Sequence, residues 1–149
     1  MSLTIVRHDS CASTSAVLAA MPEAPAGTVV VTDCQTAGRG QRGNSWEAEP
    51  GKNLTFSILL RPAGMHAARQ FELSMLVALA VADVIDSRFE TAGIAERTTV
   101  KWPNDIYVGE CKICGTLIEN KLMGKNIDRA IAGIGIDVNL SLIHISEPT

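Results

Sequence analysis

Apolar residues recur along the chain with spacings that predict six strands and two helices. The strands are segments in which β-branched residues cluster or apolar and polar residues alternate: Thr28–Thr32, Asn53–Leu60, Thr98–Trp102, Asn104–Val108, Cys111–Asn120 and Ile127–Leu140. Pro103 ends one of them, because proline has no N–H to donate. Alternation gives Asn53–Leu60 one apolar and one polar face.

The two predicted helices differ in length. Ser10–Met21 is rich in alanine and serine and ends before Pro22. His66–Phe89 carries apolar residues at steps of three and four that are expected to face a core: Phe71, Met75, Leu79, Ala82, Ile85 and Phe89. Helices and strands do not alternate strictly. We therefore expect an α/β (α+β) fold, in which a mixed sheet packs against helices on one side.

Composition limits the class of protein. The 149 residues suffice for one domain, and 46% hydrophobic with 19% charged residues is typical of a globular protein. The net charge of −3 does not favour general nucleic-acid binding. No apolar run reaches the ~18 residues of a membrane span, and residues 1–9 lack the apolar core of a signal peptide. A cytoplasmic protein without nucleic-acid or membrane partners is expected.

The cysteines are expected to be reduced thiols in that compartment. Cys111 and Cys114 have C-x-x-C spacing, but no second pair or nearby histidine accompanies them. We therefore assign no protein-held metal site, and we expect Cys114 to pack as a small apolar side chain in a strand.

The segment Thr36–Trp46 is the strongest candidate for a binding loop. It holds three glycines and two arginines within six residues: Gly38, Arg39, Gly40, Arg42 and Gly43. No helix is predicted after it and no Gly-Lys-Ser/Thr follows, which excludes the dinucleotide-binding and P-loop motifs. Arginine forks suit phosphate or carboxylate, so the segment is either an anion-binding loop or a solvated turn. Trp46 either stacks on a purine or lies in the core.

Three further clusters could carry binding groups. In the segment Lys101–Asp105, Asp105 could accept a ligand N–H or orient a lysine, or it could cap a turn together with Asn104. Lys112 falls inside a predicted strand, where it either reaches a cleft or protects an exposed edge. The segment Gly133–Asn139 either walls a nucleotide pocket or is an ordinary central strand.

These motifs occur in an order that resembles the catalytic domain of the biotin–protein ligases over about residues 4–140. The motifs are Gln35-x-Ala-Gly-Arg-Gly-x-Arg-Gly-x-x-Trp, Asn53-Leu-x-x-Ser57, Lys-Trp-Pro-Asn-Asp, Lys112-x-x-Gly115-x-Leu-x-Glu119 and Gly-Ile-Gly-Ile-x-Val-Asn. The resemblance implies a fold related to class II aminoacyl-tRNA synthetases. It also implies activation of biotin with Mg²⁺ and ATP to biotinyl-5′-adenylate, and transfer of biotin to a lysine of a biotin carboxyl carrier domain. The alternatives are a lipoate or octanoyl ligase and an inactive fragment that binds biotin or nucleotide.

The resemblance also implies which residues form the site. On the biotin side are Ser10, Cys11, Gln35, Gly38, Arg39, Gly115 and Leu117. On the nucleotide side are Arg39, Gly40, Gln41, Arg42, Trp46, Asn104, Lys112, Asp137 and Asn139. The catalytic residues are expected to be Arg39, Lys112 and Asp105. Three positions depart from the family pattern: Cys11 replaces a threonine, Gln41 stands where some members have arginine, and Asp137 stands where asparagine is usual.

The ends of the chain carry further expectations. Residues 1–140 are expected to be the catalytic domain, incomplete at its C-terminus, and residues 141–149 match nothing in the family and are expected to be a foreign tail. No DNA-binding domain is recognised, so a repressor function is not expected. A homodimer is left open.

Overall fold

A seven-stranded mixed sheet organises the chain. The structure is a computed structural model that describes residues 2–40, 45–46 and 52–137. The strands are β1 (Thr4–Cys11), β2 (Thr28–Gln35), β3 (Gly38–Arg39), β4 (Ser45–Trp46), β5 (Asn53–Leu60), β6 (Thr98–Lys101), β7 (Asp105–Val108), β8 (Cys111–Met123) and β9 (Asn126–Asp137). The helices are α1 (Thr14–Ala19) and α2 (Gln70–Thr91), the latter preceded by a 3₁₀ turn at Ala67–Arg69.

The sheet has the order β1-β2-β5-β9-β8-β7-β6, and β3 pairs with β4 in a separate ribbon. Only β1 and β2 run parallel; the other neighbours in the described sheet are antiparallel. The mixed sheet is confirmed, and so are all six predicted strands, although the last is described only to Asp137.

The expectation that helices cover one side of the sheet is wrong. Leu18 of α1 packs with Leu59 and Ile131, which lie opposite each other on β5 and β9. Ile85 of α2 belongs to the cluster that contains Ile134 and contacts Phe56. Because side chains alternate along a strand, α1 and α2 cover opposite faces of the sheet.

Burial on both faces also changes the role of the polar face of β5. Thr55 and Ser57 are buried, whereas Leu54 on the other face is exposed. The polar face is therefore buried at Thr55 and Ser57, and Ser57 contacts Thr14 and Ser15 at the start of α1.

Strand β1 has no counterpart among the predicted elements, and this shifts the first helix. Ser10 and Cys11 continue β1 at the edge of the sheet, where they pair with Cys34 and Gln35. The helix begins only at Thr14, after Ser13, whose Oγ accepts a hydrogen bond from the N–H of Ala16. Serine at an N-cap supplies an acceptor for a helix N–H that has no partner within the helix, which explains why the helix starts there.

The apolar stripe of α2 is half confirmed. Ala82, Ile85 and Phe89 are buried as expected, but Phe71, Met75 and Leu79 are exposed. The buried stripe continues instead through Val81, Ala78 and Leu73. Apolar residues lie all around this helix, so spacing alone could not choose the buried side. Neither described helix combines the length and apolar character that a membrane crossing requires.

Candidate active site

A cavity of about 750 Å³ opens on the face of the sheet that carries α1. Its walls come from the first turn of α1, from Gln35, Arg39 and Gly40, from the segment Trp102–Asp105, and from strands β5, β8 and β9. Separate parts of the chain thus meet at one concave site, which is typical of a ligand pocket.

Lys112 reaches this cavity because of a β-bulge. Regular alternation along β8 would put Lys112 on the opposite face from Gly115. The pairing with β7 skips Ile113, since Ile106 lies opposite Cys114 and Tyr107 opposite Lys112. A bulge of this kind re-aims the side chains that precede it. The Nζ of Lys112 consequently lies 3.0 Å from Oδ1 of Asp105, and both residues line the cavity.

Arg39 supplies a second cation at the same cavity. Its Nη2 donates to Oε1 of Glu119 over 2.8 Å, and both side chains are about half exposed. Gly38, before it, is buried and pairs with Trp46 across β3 and β4. The pairing of β3 with β4 fixes the backbone of Arg39. Gly40 also lines the cavity.

A chain of polar groups forms the wall beneath α1. The Oε1 of Gln35 accepts hydrogen bonds from the N–H of Thr14 at 2.8 Å and from its hydroxyl at 3.4 Å. The Thr14 hydroxyl lies 2.7 Å from Oγ of Ser57, which lies 2.7 Å from Oγ of Ser15. Thr14 and Ser57 are almost completely buried. Buried polar groups need hydrogen-bond partners, and these side chains provide partners for one another.

The structure brings Ser13 and Thr14 to the cavity instead of the expected Ser10 and Cys11. Ser10 and Cys11 lie in the edge strand β1 and do not line the cavity. Ser13 and Thr14 do line it. The reason is the late start of α1, because only the residues at its N-cap and first turn face the cavity. The Ser-Thr dipeptide at 13–14 is visible in the sequence and could have corrected the assignment.

Asn104 is held against β8 by three hydrogen bonds. Its side-chain amide donates to the carbonyl oxygen of Thr116. Its own carbonyl oxygen accepts from the N–H of Thr116 at 3.1 Å and from its hydroxyl at 3.2 Å. The residue lines the cavity, as expected, and these bonds position the start of β7 and therefore Asp105. Gly115 and Leu117 line the same wall.

Glycine in β9 lets α1 approach the sheet closely. A Cβ at position 133 would lie 2.8 Å from Oγ of Ser15 and 3.5 Å from Oγ of Ser57. Gly133 and Gly135 both line the cavity. The sequence left open whether the segment Gly133–Asn139 walls a nucleotide pocket or is an ordinary central strand. Its two glycines lie in the wall of a cavity, which agrees with the first interpretation.

Gly38 and Asp137 are two further expected site residues that do not line the cavity. Gly38 lies in β3, and Asp137 ends β9 opposite Asn53. Gln41, Arg42 and Asn139 lie outside the described residues, and so does the side chain of Trp46.

Trp102 and Glu119 are among the lining residues that were not assigned a role from the sequence. Trp102, 67% exposed, lines the cavity, and its ring centroid lies 5.9 Å from that of Phe71. Glu119 lines it as the partner of Arg39. Both residues belong to the motifs that carry the family resemblance. Their position in those motifs is the sequence signal that could have identified them as lining residues.

The expected packing of Cys114 as a buried side chain in a strand is confirmed. Cys111 and Cys114 are buried in β8, and burial raises the pKa of the Cys114 thiol to about 12. A thiol that stays protonated is a poor metal ligand and nucleophile. The part of the chain that the structure describes contains no group of three or more histidine, cysteine or acidic side chains that could hold a metal.

Comparison with known proteins assigns this geometry to a family. The model of the biotin/lipoate A/B protein ligase family matches residues 10–137. The chain belongs to this family. It is 39% identical over 137 residues to the bifunctional ligase/repressor BirA of Bacillus subtilis, a match that covers 91% of this chain and 40% of that protein. It is 36% identical over 104 residues to the biotin–[acetyl-CoA-carboxylase] ligase of Paracoccus denitrificans, covering 70% of this chain and 41% of that ligase. The chain thus spans about two fifths of these relatives.

Solved structures of the family share the fold. The biotin protein ligase of Aquifex aeolicus in complex with biotin and ATP matches with a TM-score of 0.71 and 29% identity, over 97% of this chain and 58% of that one. The Leishmania major ligase in complex with biotinyl-5-AMP matches with a TM-score of 0.74 and 28% identity, over 97% and 62%. The expected fold, that of biotin–protein ligases and class II aminoacyl-tRNA synthetases, is confirmed.

Proposed function

We propose that this family member activates biotin with ATP to biotinyl-5′-adenylate and transfers the biotinyl group to a lysine of a biotin carboxyl carrier domain. The observation that carries the proposal is that Arg39 and Lys112, from distant parts of the sequence, line one cavity with the polar wall of Gln35 and Thr14. The relatives named above, which are biotin ligases or were solved with biotin, ATP or biotinyl-AMP, support it.

The polar wall suits the ureido ring of biotin. Because Oε1 of Gln35 is engaged by the N–H of Thr14, the amide nitrogen of Gln35 remains as a donor. The Thr14 hydroxyl beside it retains an acceptor lone pair. A donor next to an acceptor is complementary to a carbonyl next to an N–H, which is the edge that a cyclic urea presents. Leu117 and the glycine-lined floor leave room for an apolar ring and chain.

The two cations suit the first chemical step. The carboxylate of biotin is already ionised at neutral pH, so it needs no general base. One carboxylate oxygen forms a bond to the α-phosphorus of ATP, and the bond to the bridging oxygen breaks to release pyrophosphate. Arg39 and Lys112 would hold the two anions together and neutralise the charge that develops on the phosphoryl oxygens. Asp105 would hold Lys112 in place for this role.

In the second step the carrier lysine attacks the acyl carbon of the adenylate, and AMP leaves with the electrons of the broken bond. The attacking amine loses a proton, and we assign no residue as the base that accepts it. Mg²⁺ would accompany ATP as the counter-ion of the triphosphate, since this ion is usually bound through phosphate oxygens and water. It would lower the cost of bringing the carboxylate to the phosphate.

The remaining assignments are also proposals. Gly40, Gln41, Arg42, Trp46, Asn104, Asp137 and Asn139 would contact the nucleotide, and Gly38, Gly115 and Leu117 would contact biotin. Ser13 and Thr14 take the place first given to Ser10 and Cys11. The four free cysteines fit a reducing, cytoplasmic compartment.

Biotin-dependent exchange of labelled pyrophosphate into ATP tests the proposal on this 149-residue chain. Exchange that requires biotin and is not supported by lipoate or octanoate is expected. Calorimetry with biotin and with biotinyl-5′-adenylate accompanies it. Binding of both without exchange would favour an inactive binding fragment, and exchange with lipoate instead of biotin would overturn the choice of substrate.

A further inference from the structure

The hydroxyl groups behind the polar wall form a chain whose direction can be worked out. Three hydroxyls follow one another at 2.7 Å, from Ser15 to Ser57 to Thr14, and the last lies 3.4 Å from Oε1 of Gln35. Ser57 is fully buried, and its side chain does not line the cavity. It therefore contacts the ligand space only through the two hydroxyls that it bonds, Thr14 and Ser15, both of which line the cavity.

Each hydroxyl has a single proton to donate. The two contacts between the hydroxyls use two of the three protons, and the third needs an acceptor outside these two contacts. Among the hydrogen bonds of the described residues, Oε1 of Gln35 is the one carbonyl acceptor at either end. That oxygen is identified independently, because it accepts from the N–H of Thr14.

One direction of donation gives all three protons an acceptor among these contacts: from Ser15 to Ser57, from Ser57 to Thr14, and from Thr14 to Gln35. In this direction Thr14 donates its proton to Gln35 and accepts a hydrogen bond from Ser57. One lone pair of the Thr14 oxygen remains, and it can accept a further hydrogen bond. Without the Ser57 donor, the Thr14 hydroxyl loses the bond that holds it in this orientation.

We propose that Ser57 is a positioning residue, which fixes the Thr14 hydroxyl as a hydrogen-bond acceptor toward the cavity and so sets the affinity for a ureido N–H. This inference rests on the proposed function, because it takes biotin as the ligand. It adds a residue that would act on biotin without touching it.

Two substitutions of Ser57 distinguish the effect of losing the hydroxyl group from the effect of losing side-chain volume. Ser57→Ala removes both, and Ser57→Cys fills the space with a weak donor. We expect each to raise the Kd for biotin, measured by calorimetry on the full chain, about five- to tenfold, which is the scale of one net hydrogen bond. The KM for ATP and the melting temperature of Ser57→Cys should remain close to those of the unaltered chain.

A second background tests whether Ser57 acts through Thr14. Thr14→Val removes the hydroxyl at nearly constant volume, so Ser57→Cys should have no further effect on biotin affinity in that background. A merely structural role for Ser57 would persist there. Thr28→Val is the matched control: it removes a buried hydroxyl that donates to the carbonyl oxygen of Pro25 outside the cavity, and it should raise the Kd no more than about twofold.

The outcomes are distinct. Tight biotin binding by Ser57→Cys, a loss that persists beside Thr14→Val, or a loss in Thr28→Val equal to that in Ser57→Cys would each overturn the inference and leave the proposed function standing. Absence of biotin binding by the unaltered chain would overturn the proposed function itself.

Discussion

The Nζ of Lys112 lies 3.0 Å from Oδ1 of Asp105, and a bulge at Ile113 makes this contact. Asp105 opens β7 directly after Asn104, whose side chain is bonded to β8. The bulge lets Ile113 and Cys114 both face the core while Lys112 faces the cavity. The same irregularity thus supplies two buried side chains and one cation at the site.

Loss of either cation is expected to disable adenylation. Lys112→Ala and Arg39→Ala should each lower the rate of biotin-dependent pyrophosphate exchange at least about a hundredfold, a scale typical of losing one charge-stabilising donor. Lys121→Ala on the same strand and Arg7→Ala, which removes the 2.7 Å ion pair with Asp33, are matched controls outside the cavity. Near-normal exchange in both site variants would refute the assignment.

Asp105 and Lys112 should behave as a unit. Asp105→Asn is expected to lower the exchange rate about tenfold or more, because Lys112 loses the carboxylate that holds it. In a chain that already carries Lys112→Ala, the same change should cost much less, since contacting residues have non-additive effects. Equal losses in the two backgrounds would mean that Asp105 acts independently of the lysine.

Gly133→Ala should destabilise the protein through a single close contact. The new methyl group would lie 2.8 Å from Oγ of Ser15, which must then shift. Overpacking of this kind costs about 1–3 kcal/mol, measurable by urea denaturation. Adding Ser15→Ala removes the clashing atom and should restore part of the lost free energy of unfolding. If the double variant is less stable than Gly133→Ala alone, the contact is not the cause.

Cys114 should resist alkylation in the folded protein. Burial raises the pKa of its thiol to about 12, so at pH 8 it is protonated, and the thiolate is the reactive form. Iodoacetamide followed by mass spectrometry should modify the partly exposed Cys11 and Cys34 first. Raising the pH toward 12 should increase labelling of Cys114 further, whereas in urea all four thiols should react alike. Labelling of Cys114 at pH 8 as fast as Cys34 would contradict its burial.

Several elements could be predicted because local pattern determines them. The hairpin of β7 and β8 follows from apolar strands around Gly109, which has a positive φ of 60° that suits glycine in a tight turn. The end of β6 follows from Pro103. The edge strand β1 was missed because it is largely exposed and shows no apolar alternation. Half of the α2 stripe was wrong because that helix is apolar on more than one side.

The motifs by themselves determined the family and the residue types that line the cavity: a glycine- and arginine-bearing segment, a strand lysine, the Asn-Asp pair and two glycines in β9. Tertiary structure alone decided which of these meet. The bulge at Ile113 sets the face on which Lys112 lies, the N-cap at Ser13 sets which hydroxyls reach the wall, and the sheet order brings Glu119 to Arg39. The reason is physical: side-chain identity is local, but the direction of a side chain depends on strand register and helix start, which packing against distant residues fixes.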